Sequence, residues 1–227
     1  MDSSLHCVKQ CFNAVYSALD LSESELGFCE SPRVLSVLAS LLERVVRKDE
    51  KLLETTKKQE KLTVFHGLRA PNLSIRSYID RIFKYSNCSP SCFILAYVYI
   101  DRFIHQQPEF PITSLNVHRL LITSIMVAAK FIDDAFFNNA YYARVGGVST
   151  VEINRLELEF LFNLDFKLQV TVDTFESYCL LCEREVAGSG SYRIERPLQF
   201  ACGLNGLNNK EETQAQSVAP RCTYGAV

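Results

Sequence analysis

Nine consecutive apolar residues, Cys92–Ile100 (CFILAYVYI), constrain this chain more than any other stretch. Ser89-Pro90 before the run supplies a cap and a proline for a first helical turn, and the pattern continues to about Gln106, so the segment reads as one helix. A membrane span needs about 20 apolar residues, and this run stops after nine, at Asp101-Arg102. A helix that is apolar nearly all round has to be enclosed by other helices. That predicts a central helix in a helical core.

The flanking sequence supplies the neighbours. Ser31-Pro32 is a start signal, and from Val34 apolar residues fall at 34, 35, 37, 38, 41, 42, 45 and 46, a helical stripe. That helix then turns charged, with Arg44, Arg47, Lys48, Lys51, Lys57, Lys58 and Lys61 among Glu43, Asp49, Glu50, Glu54 and Glu60. Interspersed signs mark a solvated face, a basic docking face being the other reading. Ile75, Tyr78, Ile79, Ile82 and Phe83 form one face of a helix beginning near Ser74, and Pro108 and Pro111 make a loop. The next helix runs from about Leu115 to Ile132, with Val117, Leu120, Leu121, Ile125, Ala128 and Phe131 inward. Ala128-Ala129 permits close approach of a neighbouring backbone.

A short aromatic segment, Phe136 to Tyr142, leads to a turn at Gly146-Gly147. Ser149-x-x-Glu152 is a capping box for a helix with Ile153, Leu156, Phe160, Leu161 and Leu164 inward, and Asp173-x-x-Glu176 has a similar form for a last helix to about Glu185. None of these segments is strand-like. The expectation is an all-α domain over 33–186, between a weakly ordered segment 1–32 and a mobile tail 187–227 with little hydrophobic periodicity.

Composition removes several classes of function. At 48% hydrophobic the chain can build a core, and 24 Lys+Arg against 26 Asp+Glu leave none of the basic excess of a general nucleic-acid binder. Nine cysteines is an odd number in a chain too long for a disulfide scaffold. Cys7, Cys11, Cys29, Cys92, Cys179 and Cys182 each have an apolar neighbour, which suits buried free thiols. The first twenty residues lack a basic start and a long apolar run, so a soluble intracellular protein without signal peptide is expected.

Enzyme constellations are poor. GxGxxG, Walker A, GxSxG and HExxH are absent, and His6, His66, His105 and His118 are scattered. Asp133 and Asp134 are sequence neighbours at a helix end, pointing about 100° apart, which suits capping or interaction better than a catalytic dyad. Cys88-x₃-Cys92 with Cys179-x-x-Cys182 counts four thiols, but the pairs fall in or beside helices instead of knuckle turns. No metal and no cofactor is expected.

Two charged residues interrupt core patterns. Lys130 follows five apolar residues in IMVAAKF, and Glu157 sits between Leu156 and Leu158. Either each faces solvent, the lysine by snorkelling, or both mark an interaction surface on adjacent helices, ready to hydrogen-bond a partner.

Several motifs, in order, resemble one family. YVYIDRFI (Tyr97–Ile104) is similar to the second-helix motif of cyclins, VAAKF (Val127–Phe131) to the third-helix motif with its lysine, and LELEFLFNLDFKL (Leu156–Leu168) to the fifth-helix segment with its glutamate at Glu157. NNAYYARVGGVST (Asn138–Thr150), FESYC and PRVLSVLASLLERVV (Pro32–Val46) resemble the plant P-type or U-type cyclins, themselves similar to fungal phosphate-signalling cyclins. The resemblance covers about residues 32–183.

It implies a single cyclin box of five helices around a central third helix, with an extra N-terminal helix. It also implies a protein that is no enzyme and works as a heterodimer with a cyclin-dependent protein kinase, in the nucleus, the cytoplasm or both. Such a subunit holds the kinase's αC helix inward so that its glutamate reaches the ATP-positioning lysine, a shift of population toward the active conformation. Lys130 and Glu157 would then contact the αC segment, with Phe131 and Asp133 nearby. Control of cell division, and phosphate signalling, are the implied outputs.

The match has departures. Ile82 stands where the substrate-docking patch of cell-cycle cyclins has a tryptophan, and the chain has no Trp. Ile132 replaces the acidic residue that often follows the family's KF, which bears on kinase preference. A cyclin-fold adaptor serving transcription machinery without a kinase is the second reading, its nucleic-acid version disfavoured by the near-neutral charge.

Overall fold

In the computed structural model, residues 15–21, 31–57 and 61–186 are described. A helical turn at 15–18 precedes seven helices: α1 (Arg33–Thr56), α2 (Ile75–Ser86), α3 (Pro90–Gln106), α4 (Val117–Ile132), α5 (Asn139–Gly146), α6 (Thr150–Asn163) and α7 (Val172–Val186). No strand occurs among the described residues, and none of their helices is long and apolar enough to cross a membrane. The all-α expectation holds: α2–α6 form the five-helix box, α1 is the helix before it, and α7 follows. The tail 187–227, Cys7, Cys11 and Cys29 lie outside the described residues.

The nine-residue apolar run is enclosed as its composition demands. Every residue from Cys92 to Asp101 is buried, and so is every residue of α4 from Leu120 to Ala129. These two helices pack on one another more extensively than any other pair, so the centre is shared between the second and third helices of the box. Around them, α1 packs on α2, α3 and α7, while α6 packs on α4 and α5. The α1 stripe from Val34 to Val46 is buried at all eight expected positions. Turn 15–21 adds Val15, Leu19 and Leu21 to the same core.

Several expected caps are replaced by longer-range ones. Ser31-Pro32 does not cap α1; Pro32 holds the cap position, and the Asp20 carboxylate accepts from the Arg33 amide at 3.1 Å. The charged half of α1 is only partly a solvated face. Arg44 makes a two-point contact with Glu185 of α7 (2.5 and 2.8 Å), and Asp49 and Glu50 accept from the Ile112 and Ser114 amides of the α3–α4 loop (2.9 and 2.8 Å). The aromatic segment 136–142 is largely helical, because the Asn138 side chain accepts from the Tyr141 amide and starts α5. Gly147 ends that helix at φ 72°, a left-handed conformation glycine adopts without a Cβ clash. The capping box at Ser149 and Glu152 is present, and Arg119 of α4 ties into it at 2.7 Å. The expected Asp173–Glu176 box is not used: α7 starts at Val172, with the Thr171 hydroxyl accepting from the Thr174 amide.

The two charges that end the apolar run have separate tasks. Arg102 donates to the Lys167 and Gln169 carbonyls (2.8 and 3.1 Å) and Tyr99 to that of Leu168 (2.7 Å), which fixes the α6–α7 connection. Asp101 is buried and accepts from the Tyr178 hydroxyl of α7, leaving its other oxygen unbonded. Burial pushes its carboxyl from 3.8 up to about 7, against the opposing Tyr178 hydrogen bond and the Arg102 charge. The folded state therefore holds this proton more tightly than the unfolded chain does. Its stabilising contribution is complete below about pH 4 and is lost as pH rises toward 7. Asp101→Asn, always neutral, should come closest to the wild type below about pH 4 and exceed it by a few kcal/mol near pH 8 in urea unfolding. Equal differences at both pH values would refute the assignment.

Candidate interaction face around Lys130 and Glu157

Lys130 lies in the last turn of α4 and Glu157 in the third turn of α6, and the packing of those two helices brings them together. Lys130 Nζ donates to Glu157 Oε1 at 2.7 Å and to Asn139 Oδ1 at 2.5 Å. Asn139 Nδ2 in turn donates to Glu157 Oε2 and to Asn154 Oδ1, both at 2.7 Å. Four side chains from α4, α5 and α6 thus form one closed network. Lys130 is 25% exposed and Glu157 17%, so neither extends freely into water. Solvent exposure of each alone is not what the fold adopts.

The network is partly desolvated yet open on one side. An ammonium has three donors, and two of Lys130's are used within the network. Asn139 and Asn154 are not singled out by sequence reasoning. The available signal is spacing: Asn154, Glu157, Leu158 and Leu161 fall at i, i+3, i+4 and i+7, one stripe of α6.

Several exposed apolar side chains lie on the same helices and in their connections. Phe131 (47% exposed) and Ile132 follow Lys130, and Phe136 and Phe137 lie in the connection to α5. On α6, Leu158 and Phe162 are exposed, and Phe162 meets Phe166 edge-on at 5.2 Å. Asp165 and Phe166 are consecutive left-handed residues (φ 49° and 56°). Such backbone costs about 1–2 kcal/mol per residue. Here it is held by the Phe166 amide bond to the Leu161 carbonyl (3.0 Å) and by the Tyr99 and Arg102 contacts just beyond. The result leaves Phe166 57% exposed just beyond the end of α6.

Asp133 has a task inside the fold. Its carboxylate accepts from the Ser89 hydroxyl (2.8 Å), the Ser89 amide (3.1 Å) and the Cys92 thiol (3.1 Å), so the C-cap of α4 clamps the start of α3. This replaces the side-chain cap that Ser89 was expected to make on its own helix. Asp134 is exposed beside it.

The rest of the described surface offers little chemistry. Among the described residues no group of three or more His, Cys, Asp or Glu side chains could hold a metal. Cys88, Cys92, Cys179 and Cys182 are free and buried, and burial pushes the Cys179 thiol up to about 12, far from a reactive thiolate. His118 is buried with Nε2 donating to the Leu73 carbonyl at 2.8 Å, and desolvation lowers its pKa. A cleft of about 730 Å³ between residues 61–66 and α6 is lined by Phe65, Phe103, Phe110, Arg119 and Arg155, and includes neither Lys130 nor Glu157.

Comparison with known proteins agrees with this architecture. The family model described as Cyclin matches residues 33–168, which span α1 through the end of the box. Cyclin-P3-1 of Oryza sativa subsp. japonica is 54% identical over 204 residues, 90% of this chain and 84% of that protein. Cyclin-U4-1 of Arabidopsis thaliana is 56% identical over 161 residues (69% and 80%), and Cyclin-U3-1 of the same plant is 47% identical over 211 (92% and 91%). With its five-helix box, its central helix pair and this depth of similarity to P-type and U-type members, the chain belongs to the cyclin family.

Proposed function

We propose that this cyclin is the regulatory subunit of a heterodimer with a cyclin-dependent protein kinase, docking the kinase's αC region on the face around Lys130 and Glu157. The observation that carries the reading is the partly buried Lys130–Asn139–Glu157 network, with exposed Phe131 next to Lys130 and exposed Leu158 next to Glu157 in the chain and exposed Phe162 and Phe166 at and just beyond the end of α6. A fixed charge pair beside exposed aromatic and aliphatic anchors is the composition of a binding hot spot. The third Lys130 donor would take a carbonyl of αC, and the apolar side chains would cover its outer face. Holding αC inward stabilises the kinase's active conformation, so activation follows from differential affinity for that state. Asp133 supports the face from within by fixing α3 against α4. Cyclins are regulatory proteins, and in this reading every catalytic group belongs to the kinase. Control of cell division, with phosphate signalling as a second output, and a nuclear or cytoplasmic site of action complete the proposal.

The test is capture of candidate cyclin-dependent kinases by the wild type, Lys130→Ala and Glu157→Ala, followed by kinase activity of the eluate. Capture of an active kinase by the wild type alone, with both variants still helical, is the expected result. If the wild type captures none, or the variants capture equally well, the face is misassigned and an adaptor role without a kinase takes precedence.

A further inference from the structure

A second surface lies where the C-terminal half of α2 meets α5. Arg81 donates to the Arg144 carbonyl at 3.2 Å, and the Tyr141 hydroxyl donates to the Tyr85 carbonyl at 2.7 Å, so the two helices present one continuous ridge. Lys84 lies over the Tyr85 ring at 5.5 Å, Arg144 over the Tyr141 ring at 5.4 Å, and Phe137 stacks on Tyr141 at 3.9 Å. Both cations are within cation–π range. Arg81, Lys84, Tyr85 and Arg144 are all exposed.

The charge of this ridge is uncompensated. Helices α2 and α5 carry Arg76, Arg81, Lys84 and Arg144 against the single acid Asp80, and Asp80 is occupied by Arg76 at 2.8 Å. No carboxylate pairs with Arg81, Lys84 or Arg144 among the described residues, and exposed Asp134 in the α4–α5 connection makes no ion pair with them. The whole chain carries a net charge of −2, so this concentration is local. Its aromatic rings hold the cationic side chains close to the surface, which lowers the entropy lost when they engage a partner.

We infer that the Arg81–Lys84–Arg144 ridge, with Tyr85 and Tyr141, is a docking site for an acidic, Asp/Glu-rich segment of a protein partner. Complementary charge gives such a site fast, salt-sensitive association, and the exposed Tyr85 ring and half-buried Tyr141 ring supply apolar contact for the side-chain stems of the incoming segment. The inference goes beyond the kinase reading and does not depend on it, since the ridge lies on α2 and α5 and its test needs no kinase.

The experiment is fluorescence anisotropy with the full chain and a labelled Asp/Glu-rich peptide of about 12 residues, read between about 50 and about 200 mM NaCl. An uncharged peptide, a Lys-rich peptide and a single-stranded oligonucleotide serve as comparisons. Saturable binding of the acidic peptide alone is expected, weakening with salt and falling at least about tenfold in Lys84→Glu/Arg144→Glu. Lys48→Glu/Lys51→Glu on α1 carries the same charge change and should leave binding within about threefold, since scattered surface charges act weakly through salt. Absent binding, an equal loss in both double variants, or tighter binding of the oligonucleotide would each overturn the assignment.

Discussion

Phe103→Ala should destabilise the fold by about 3–5 kcal/mol, the range for truncating a fully buried aromatic side chain. Phe103 is 2% exposed and meets three rings from three different elements: Phe65 at 5.2 Å, Phe110 at 5.2 Å and Phe160 at 5.5 Å. Phe65 belongs to the segment after α1, Phe110 to the α3–α4 loop and Phe160 to α6. Because the rings come from three separate elements, no single helix can repack to fill the cavity. A domain of this kind has about 5–15 kcal/mol of total stability, so the variant should unfold at much lower urea than the wild type, by circular dichroism. Phe131→Ala, at the exposed α4 terminus, is the control and should shift stability by less than about 0.5 kcal/mol. A cost below about 1.5 kcal/mol for Phe103→Ala would mean that the cluster is loosely packed and that α6 is anchored elsewhere.

What could be read in advance follows the range of the interaction. The stripes of α1, α2, α4 and α6 were legible because helical periodicity is local, except at Phe131, expected inward but exposed where α4 runs out of core, and the Ser149–Glu152 box because its partners are three residues apart. The Phe65 anchor was not legible: LTVFHGL has no regular period, and only tertiary contact with Phe103 and Phe110 makes its ring part of the core. The same limit applies to caps. Ser31-Pro32, Ser89 and Asp173 were read from local rules, whereas Asp20, Asp133 and Thr171 do the work. In two of the three the winning carboxylate comes from 13 and 44 residues away. Arg44, Asp49 and Glu50 looked like members of a solvated charge run, and their partners on α7 and the α3–α4 loop are invisible to a pattern on one helix. Lys130 and Glu157 were singled out as exceptions to core patterns. Their pairing could not be, because nothing local distinguishes Asn139, which joins them, from a second cap residue beside Asn138.

That pairing decides how the candidate face is to be tested. If the αC segment of a kinase buries the pair, Lys130→Ala and Glu157→Ala should each weaken capture by about 3–5 kcal/mol, because each leaves the other charge buried and unmatched. The double variant should lose far less than the sum, the signature of residues acting as a unit. Neither single variant should change folding stability by more than about 1 kcal/mol, since the pair is partly solvated in the free chain. A loss of capture could still come from α4 and α6 shifting apart instead of from a lost contact. The charge-swapped variant Lys130→Glu/Glu157→Lys separates these causes. It keeps an opposite-charge pair across the same two helices and reverses the field that a partner meets. If the partner reads the charges directly, the swap binds as poorly as the single variants. If the swap restores capture, the pair serves only to hold α4 to α6, and the contact with the kinase must rest on Phe131, Leu158, Phe162 and Phe166.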